Sequence, residues 1–149
     1  MSRIYLETII KADIHIVFDL ARDIDLHQRS TFKSQEKAIA GHTSGLIGLN
    51  ETVTWRAKHL GFDQTHTSKI ISMERPSEFT DIMLKGTFAS FRHQHIFKKD
   101  DKNTIMIDIL EFESPLGIVG KLFNRVFLKN YLTRFLLERN RIIKKTAEL

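Results

Sequence analysis

From about residue 34 to residue 113 almost every segment alternates apolar and polar side chains with period two, interrupted only by turn residues. Ser34–Ala40 reads as a short strand ending in Gly41-His42-Thr43-Ser44-Gly45, a turn or small lid. Glu51–Leu60 and Phe62–Met73 alternate on either side of Gly61, a hairpin with long arms for so tight a link. Arg75-Pro76-Ser77 stops the run, because proline brings no amide to a ladder. Phe79–Lys85 resumes it, and Gly86 turns the chain into Phe88–Lys98. Lys99-Asp100-Asp101-Lys102-Asn103 is a polar tip before Thr104–Glu113. Hairpins in sequence build a meander, so the sheet is expected to be antiparallel.

The flanks decide the class. Residues 3–11 are rich in β-branched side chains and read as a first strand. Asp13 then stands at an N-cap position before Ile14, Val17, Phe18, Leu20 and Ala21 at helical spacing. A second short helix is expected over about 23–29, with Ile24 and Leu26 as its apolar contacts. Two helices after one strand exclude an all-β barrel. Beyond Ser114-Pro115-Leu116-Gly117 the rest is helical: Leu128, Tyr131, Leu132, Phe135 and Leu136 form one stripe, continued by Ile142 and Ile143. The preceding set, Val119, Leu122, Phe123, Val126 and Phe127, points elsewhere, which predicts a bend or break near Phe127–Asn130. The expectation is one α+β domain over residues 1–149, a curved sheet of about seven strands closed by a long C-terminal helix.

Composition removes several functions. No cysteine is present, so disulfides, thiolate metal sites and thiol catalysis are all excluded. No apolar run approaches the ~18 residues of a membrane span, and Met1–Glu7 lacks the apolar core of a signal peptide. A cytoplasmic location is the default expectation. The net charge of +5 is uneven: from Lys121 onward eight Lys and Arg face only Glu138 and Glu148. Such a helix could meet an anionic membrane surface or an acidic partner, although a solvated face is the plainer reading. No Gly-rich phosphate loop is present, and no exposed aromatics interleave with the basic residues, so nucleic acid is not expected.

Alternation also selects the inward side chains. Val53, Trp55, Ala57 and His59 share a face, against Thr54, Arg56 and Lys58. Phe91, His93, His95 and Phe97 share another, so their neighbours carry both histidines inward. Gln64, His66 and Ser68 are placed inside as well, while His15, His27 and His42 are expected to be exposed. The last two strands are ambiguous: Asp108 goes with Met106, Leu110 and Phe112, and Asp81 with Phe79 and Met83.

The order of strand, two short helices, six meandering strands and long helix resembles the helix-grip fold of the START, pollen-allergen and polyketide-cyclase superfamily, SRPBCC. Asp25-Leu26-His27, the run from Glu51 to His59, Gln64–Ser68, Arg92–Phe97 and Phe112–Gly117 look like bacterial ligand-binding members. The resemblance implies a cavity between concave sheet and helix, with no fixed catalytic motif, and it favours the Asp-bearing faces as inner. The ligand-binding residues it suggests are Trp55, His59, Gln64, His66, Met83, Phe91, His93, His95, Phe112, Phe123, Phe127 and Tyr131.

A buried carboxylate or imidazolium must pair or neutralise, so the plain reading of the stripe is a structural His–Asp network. The functional reading is that it orients the polar group of a small apolar ligand such as a lipid, terpenoid or polyketide-like molecule. An alternative is a cyclase or dehydratase with His93 or His95 as base and Asp108 or Asp81 as orienting partner. A second alternative is an interaction protein acting through the basic helix. His93-x-His95 could chelate with His59, His66 or Asp81, but no further signature supports a metal, and none is expected, nor any cofactor.

Overall fold

The computed structural model describes every residue except 32, 60 and 115–124, together with the side chain of Arg125. Strand β1 (Ser2–Ile10) leads into helices α1 (Ile14–Ala21) and α2 (Ile24–Ser30). Strands β2 (Lys37–Gly41), β3 (Thr52–His59), β4 (Phe62–Glu74), β5 (Glu78–Lys85), β6 (Ser90–Asp100) and β7 (Asn103–Glu113) follow, and helix α3 (Arg125–Ala147) ends the fold. The seven strands form one antiparallel sheet in the order β1-β7-β6-β5-β4-β3-β2. From β2 to β7 this is the expected meander, with β1 added beside β7.

Local chemistry explains the boundaries. Asp13 and Asp23 each accept a bond from the amide two residues on, capping α1 and α2. The expected start of β2 at Ser34 is corrected to Lys37. The amides of Ser34 and Gln35 fold back onto the Thr31 carbonyl, and Gln35 has φ 53°, so this piece closes a turn after α2. At the β6–β7 tip the ladder continues to the Asp100–Asn103 pair, tighter than the expected five-residue tip. The segment after β2 is strapped to α2: Ile24 N–H donates to Gly45, Gly45 N–H to Asp25, and Ile47 N–H to Arg22.

The predicted break near Phe127–Asn130 does not occur, because α3 runs through it as one helix. The change of stripe is absorbed as exposure. Leu128, Leu132 and Leu136 face the sheet, whereas Val126 and Phe127 are 69% and 41% exposed. The expected members Val119, Leu122 and Phe123 lie outside the described residues.

Two apolar clusters hold the layers together. In one, Phe18 of α1 meets Phe79 and Phe97 edge-on at 5.4 and 5.2 Å, beside Ile10, Met106 and Ile143. In the other, Ile4, Leu110 and Phe112 pack against Leu128, Leu132 and Leu136. Each such fully buried side chain contributes roughly 1.5–3 kcal/mol. Both clusters supply walls to a hollow between the sheet and α3.

Candidate functional site

The hollow has a volume of about 180 Å³. Its walls include Trp55 and Ala57 of β3, Phe79 of β5, Phe91 of β6 and Leu132, Phe135 and Leu136 of α3. His59, Gln64, His66, Asp81, His93 and His95 add a polar stripe. Those on the strands share the concave face of the sheet, as alternate positions do. Other expected wall residues stand elsewhere. Phe112 is fully buried against Phe88, and Asp108 is wholly enclosed behind His93. Met83 lies beside Gly86, and Phe127 is turned from the sheet by its phase on α3. Tyr131 touches the site indirectly, through a 2.7 Å hydrogen bond between its hydroxyl and His59 Nδ1. Phe123 lies outside the described residues.

Register brings the stripe together. Asp81 pairs with His93 across β5 and β6, and His95 pairs with Asp108 across β6 and β7. The side chains bond along the diagonals instead: His93 Nε2 to Asp108 Oδ1 at 2.8 Å, and His95 Nε2 to Asp81 Oδ2 at 2.9 Å. The two imidazoles stack at 3.7 Å between centroids, and His95 also stacks on Phe79 at 4.1 Å.

Helix α3 completes the network with two residues that the charge pattern hides. Arg139, treated above as part of the basic surface, is only 4% exposed. Its Nη1 donates to Asp108 Oδ1 at 3.3 Å and Asn140 Oδ1 at 2.8 Å, while Nη2 reaches the Ala21 carbonyl and His95 Nδ1, each at 3.4 Å. Asn140 Nδ2 donates to Asp108 Oδ2 at 2.7 Å. A signal was present, since both positions continue the inward stripe between Leu136 and Ile143.

These contacts fix protonation. Guanidinium can only donate, so His95 Nδ1 accepts from Arg139 and Nε2–H donates to Asp81. Burial, then the charges of His93 and Arg139, hold His95 well below its ordinary pKa. Burial would raise Asp108, but the His93 hydrogen bond and the charges of Arg139 and His93 outweigh it and leave a firm carboxylate. His93 therefore donates Nε2–H to Asp108. Its Nδ1 has no hydrogen-bond partner among the described residues, and its ring forms part of the cavity wall. Burial pushes Asp81 up, against the charges of His93, His66 and Arg139. Burial also lowers His59 and His66.

A second polar group was missed. Glu36, just before β2, is 9% exposed and lines the cavity, with His27 Nε2 at 3.6 Å. His27, expected in solvent, stacks against Trp55 at 4.3 Å and also lines the cavity. It faces inward because α2 packs between β2 and α3, which turns this side chain onto Trp55. Glu36 stands directly before β2, inside the strand expected over Ser34–Ala40, but nothing in its residue type marks it as buried.

Asp81, His93 and His95 offer ligand atoms within 4.8 Å of one another, close enough to share a cation. The hydrogen bonds oppose this use: Arg139 holds His95 in the tautomer whose Nε2 carries a proton, and sits beside the other nitrogen. Of the eight basic residues from Lys121 on, Arg139 is internal, Lys144 binds the Ile9 carbonyl and Glu148, and Arg141 pairs with Glu138. Lys129, Arg134 and Lys145 stand at exposed positions. The basic surface is thus thinner than composition suggests. Among the described residues, no helix is long and apolar enough to cross a membrane.

No protein-family model and no curated protein matches the chain. Solved structures do. A START superfamily protein of Mycobacterium smegmatis superposes with a TM-score of 0.74 at 10% identity, over 98% of this chain and 97% of its own. Major latex-like protein 151 of Panax ginseng gives 0.71 at 15% identity, over 98% and 97%. A protein of Thermus thermophilus gives 0.70 at 17% identity, over 99% and 94%. At such identities the likeness concerns architecture: this chain has the helix-grip fold seen in START and major latex-like proteins.

Proposed function

We propose that the protein binds a small, mostly apolar molecule between its sheet and α3, with the His–Asp stripe orienting the molecule's polar group. The observation that carries this reading is His93, a residue only 6% exposed whose Nδ1 has no hydrogen-bond partner among the described residues and which stands in the cavity wall near Phe79, Phe91 and Leu110. A buried polar atom normally finds a partner, and here the free side meets the hollow. At about 180 Å³ the hollow lies below the ~300–1,000 Å³ of drug-sized sites, which favours a compact ring system over a diacyl lipid.

A second reading, general-base chemistry, is favoured by the same pair. A carboxylate that orients one imidazole nitrogen and leaves the other toward a substrate has the parts of a base. Binding remains the stronger reading, because Arg139, the cation best placed to stabilise a developing oxyanion, spends its contacts on protein groups.

Trp55 lines the hollow and is the only tryptophan, so its fluorescence reports entry. Titration with terpenoids, polyketide-like aromatics and short-chain lipids should give a saturable change with at least one class. Ala57→Phe, which fills the hollow from β3, should abolish it while circular dichroism stays unchanged. No response to any class, or an undiminished response in the filled variant, would refute the reading.

A further inference from the structure

The cavity also has a chemical bias, and this inference rests on the small-molecule reading above. Its charged groups divide into cations already satisfied and acceptors that are not. Arg139 spends both terminal nitrogens on Asp108, Asn140, Ala21 and His95. Arg22 binds Asp19 through Nε and Nη2 and the Ile47 carbonyl through Nη1. No lysine lines the cavity among the described residues.

The acceptors differ. Glu36 is more than nine-tenths buried, and its single close polar neighbour among the described residues is His27 Nε2 at 3.6 Å. A carboxylate offers about four lone-pair sites, so most of its capacity faces the hollow. Burial works against its charge, but its place beside the His27 imidazole outweighs this and lowers its pKa. On the far side Asp81 accepts one bond from His95, which leaves most of its capacity open. Three strand spacings separate β5 from β2, about 14 Å along the sheet, so the two acceptor groups lie toward opposite ends of the hollow.

We propose that the cavity selects an apolar ligand carrying hydrogen-bond donors, such as hydroxyl groups, toward both ends, and rejects one carrying carboxylates. A donor at each end would satisfy Glu36 on one side and Asp81 on the other. A carboxylate would meet Glu36 and Asp81 as like charge in a low-dielectric hollow, where the arginines among the described lining residues are already engaged by protein groups.

Three rod-shaped probes with one apolar body separate the outcomes: 4,4′-biphenol, 4,4′-dimethoxybiphenyl and biphenyl-4,4′-dicarboxylate, titrated by calorimetry at pH 7.5. The expected result is that the diol binds about tenfold more tightly than the diether, the difference of one good hydrogen bond, and that the dicarboxylate does not bind. Glu36→Gln and Asp81→Asn, each checked for native circular dichroism, should narrow the gap between diol and diether. Equal affinity for diol and diether, or binding of the dicarboxylate as tight as that of the diol, would overturn the selectivity while leaving the binding reading intact. Binding of none of the three would overturn the binding reading itself for compact aromatic ligands, and the selectivity with it.

Discussion

His93 Nε2 lies 2.8 Å from Asp108 Oδ1, and that carboxylate has no solvent exposure at all. The two residues are not opposite one another in the sheet; the bond runs diagonally from β6 to β7, past the His95–Asp108 pair. Asp108 is held from three directions, by His93, Arg139 and Asn140. His93 is held from one. The two ends of the bond therefore have different consequences when removed.

Asp108→Ala leaves the Arg139 guanidinium buried without its counter-charge and should cost about 3–5 kcal/mol. His93→Ala leaves Asp108 with two partners and should cost about 1–2 kcal/mol. Urea unfolding measures both. His93→Ala should also change which ligands bind, read from Trp55 fluorescence. Unfolding by His93→Ala as severe as by Asp108→Ala, with selection untouched in whatever remains folded, would assign His93 a purely structural role.

Acid should loosen the fold earlier than its carboxylates alone would require. Folding lowers the pKa of His59, His66 and His95, so each binds fewer protons folded than unfolded below the ordinary histidine value of ~6.5. Their contribution is complete above ~6.5 and is lost as pH falls toward the folded values. Asp108, also lowered, adds its loss only below ~4. Asp81 is raised and acts in the opposite sense: its contribution is present at low pH and lost as pH rises through its folded value. The urea midpoint should therefore fall between pH 7 and pH 5. A flat profile across that interval would contradict the buried neutral imidazoles.

Gly41 has φ +74°, and a Cβ there would run into the carbonyl oxygen of Thr52 on the neighbouring strand. Both the conformation and the backbone contact oppose any side chain. Gly41→Ala should cost about 2–3 kcal/mol, seen as a lowered melting temperature, although the residue is exposed. Gly45, also at positive φ (+70°) but with open space where its Cβ would stand, should lose less on substitution.

Much of this was legible in the residues. Period-two alternation carried Trp55, His93 and His95 to the concave face, because each has an apolar neighbour two positions away, whereas His66, between Gln64 and Ser68, had no such guide. The aspartates were harder: Asp108 had an apolar set, Ile105, Ile107 and Ile109, on the opposite face, and which carboxylate bonds which imidazole follows only from the diagonal contacts across the sheet. Arg139 and Asn140 follow the helical stripe, but their polarity disguises it. Glu36 and His27 were not placed, since a carboxylate beside a strand reads as exposed and His27 becomes internal only when α2 packs against β2 and α3. The unbroken α3 was misread for a related reason: two apolar directions on one helix require a break only if both must be buried.

Native mass spectrometry of the gently purified protein, compared with Ala57→Phe, tests whether the hollow holds a guest. The prediction is a wild-type species heavier than the polypeptide by one small molecule, which leaves on denaturation and is absent from the filled variant. Bare polypeptide mass in both, from folded material in which added probes also leave Trp55 unchanged, would mean that the space between the sheet and α3 receives nothing.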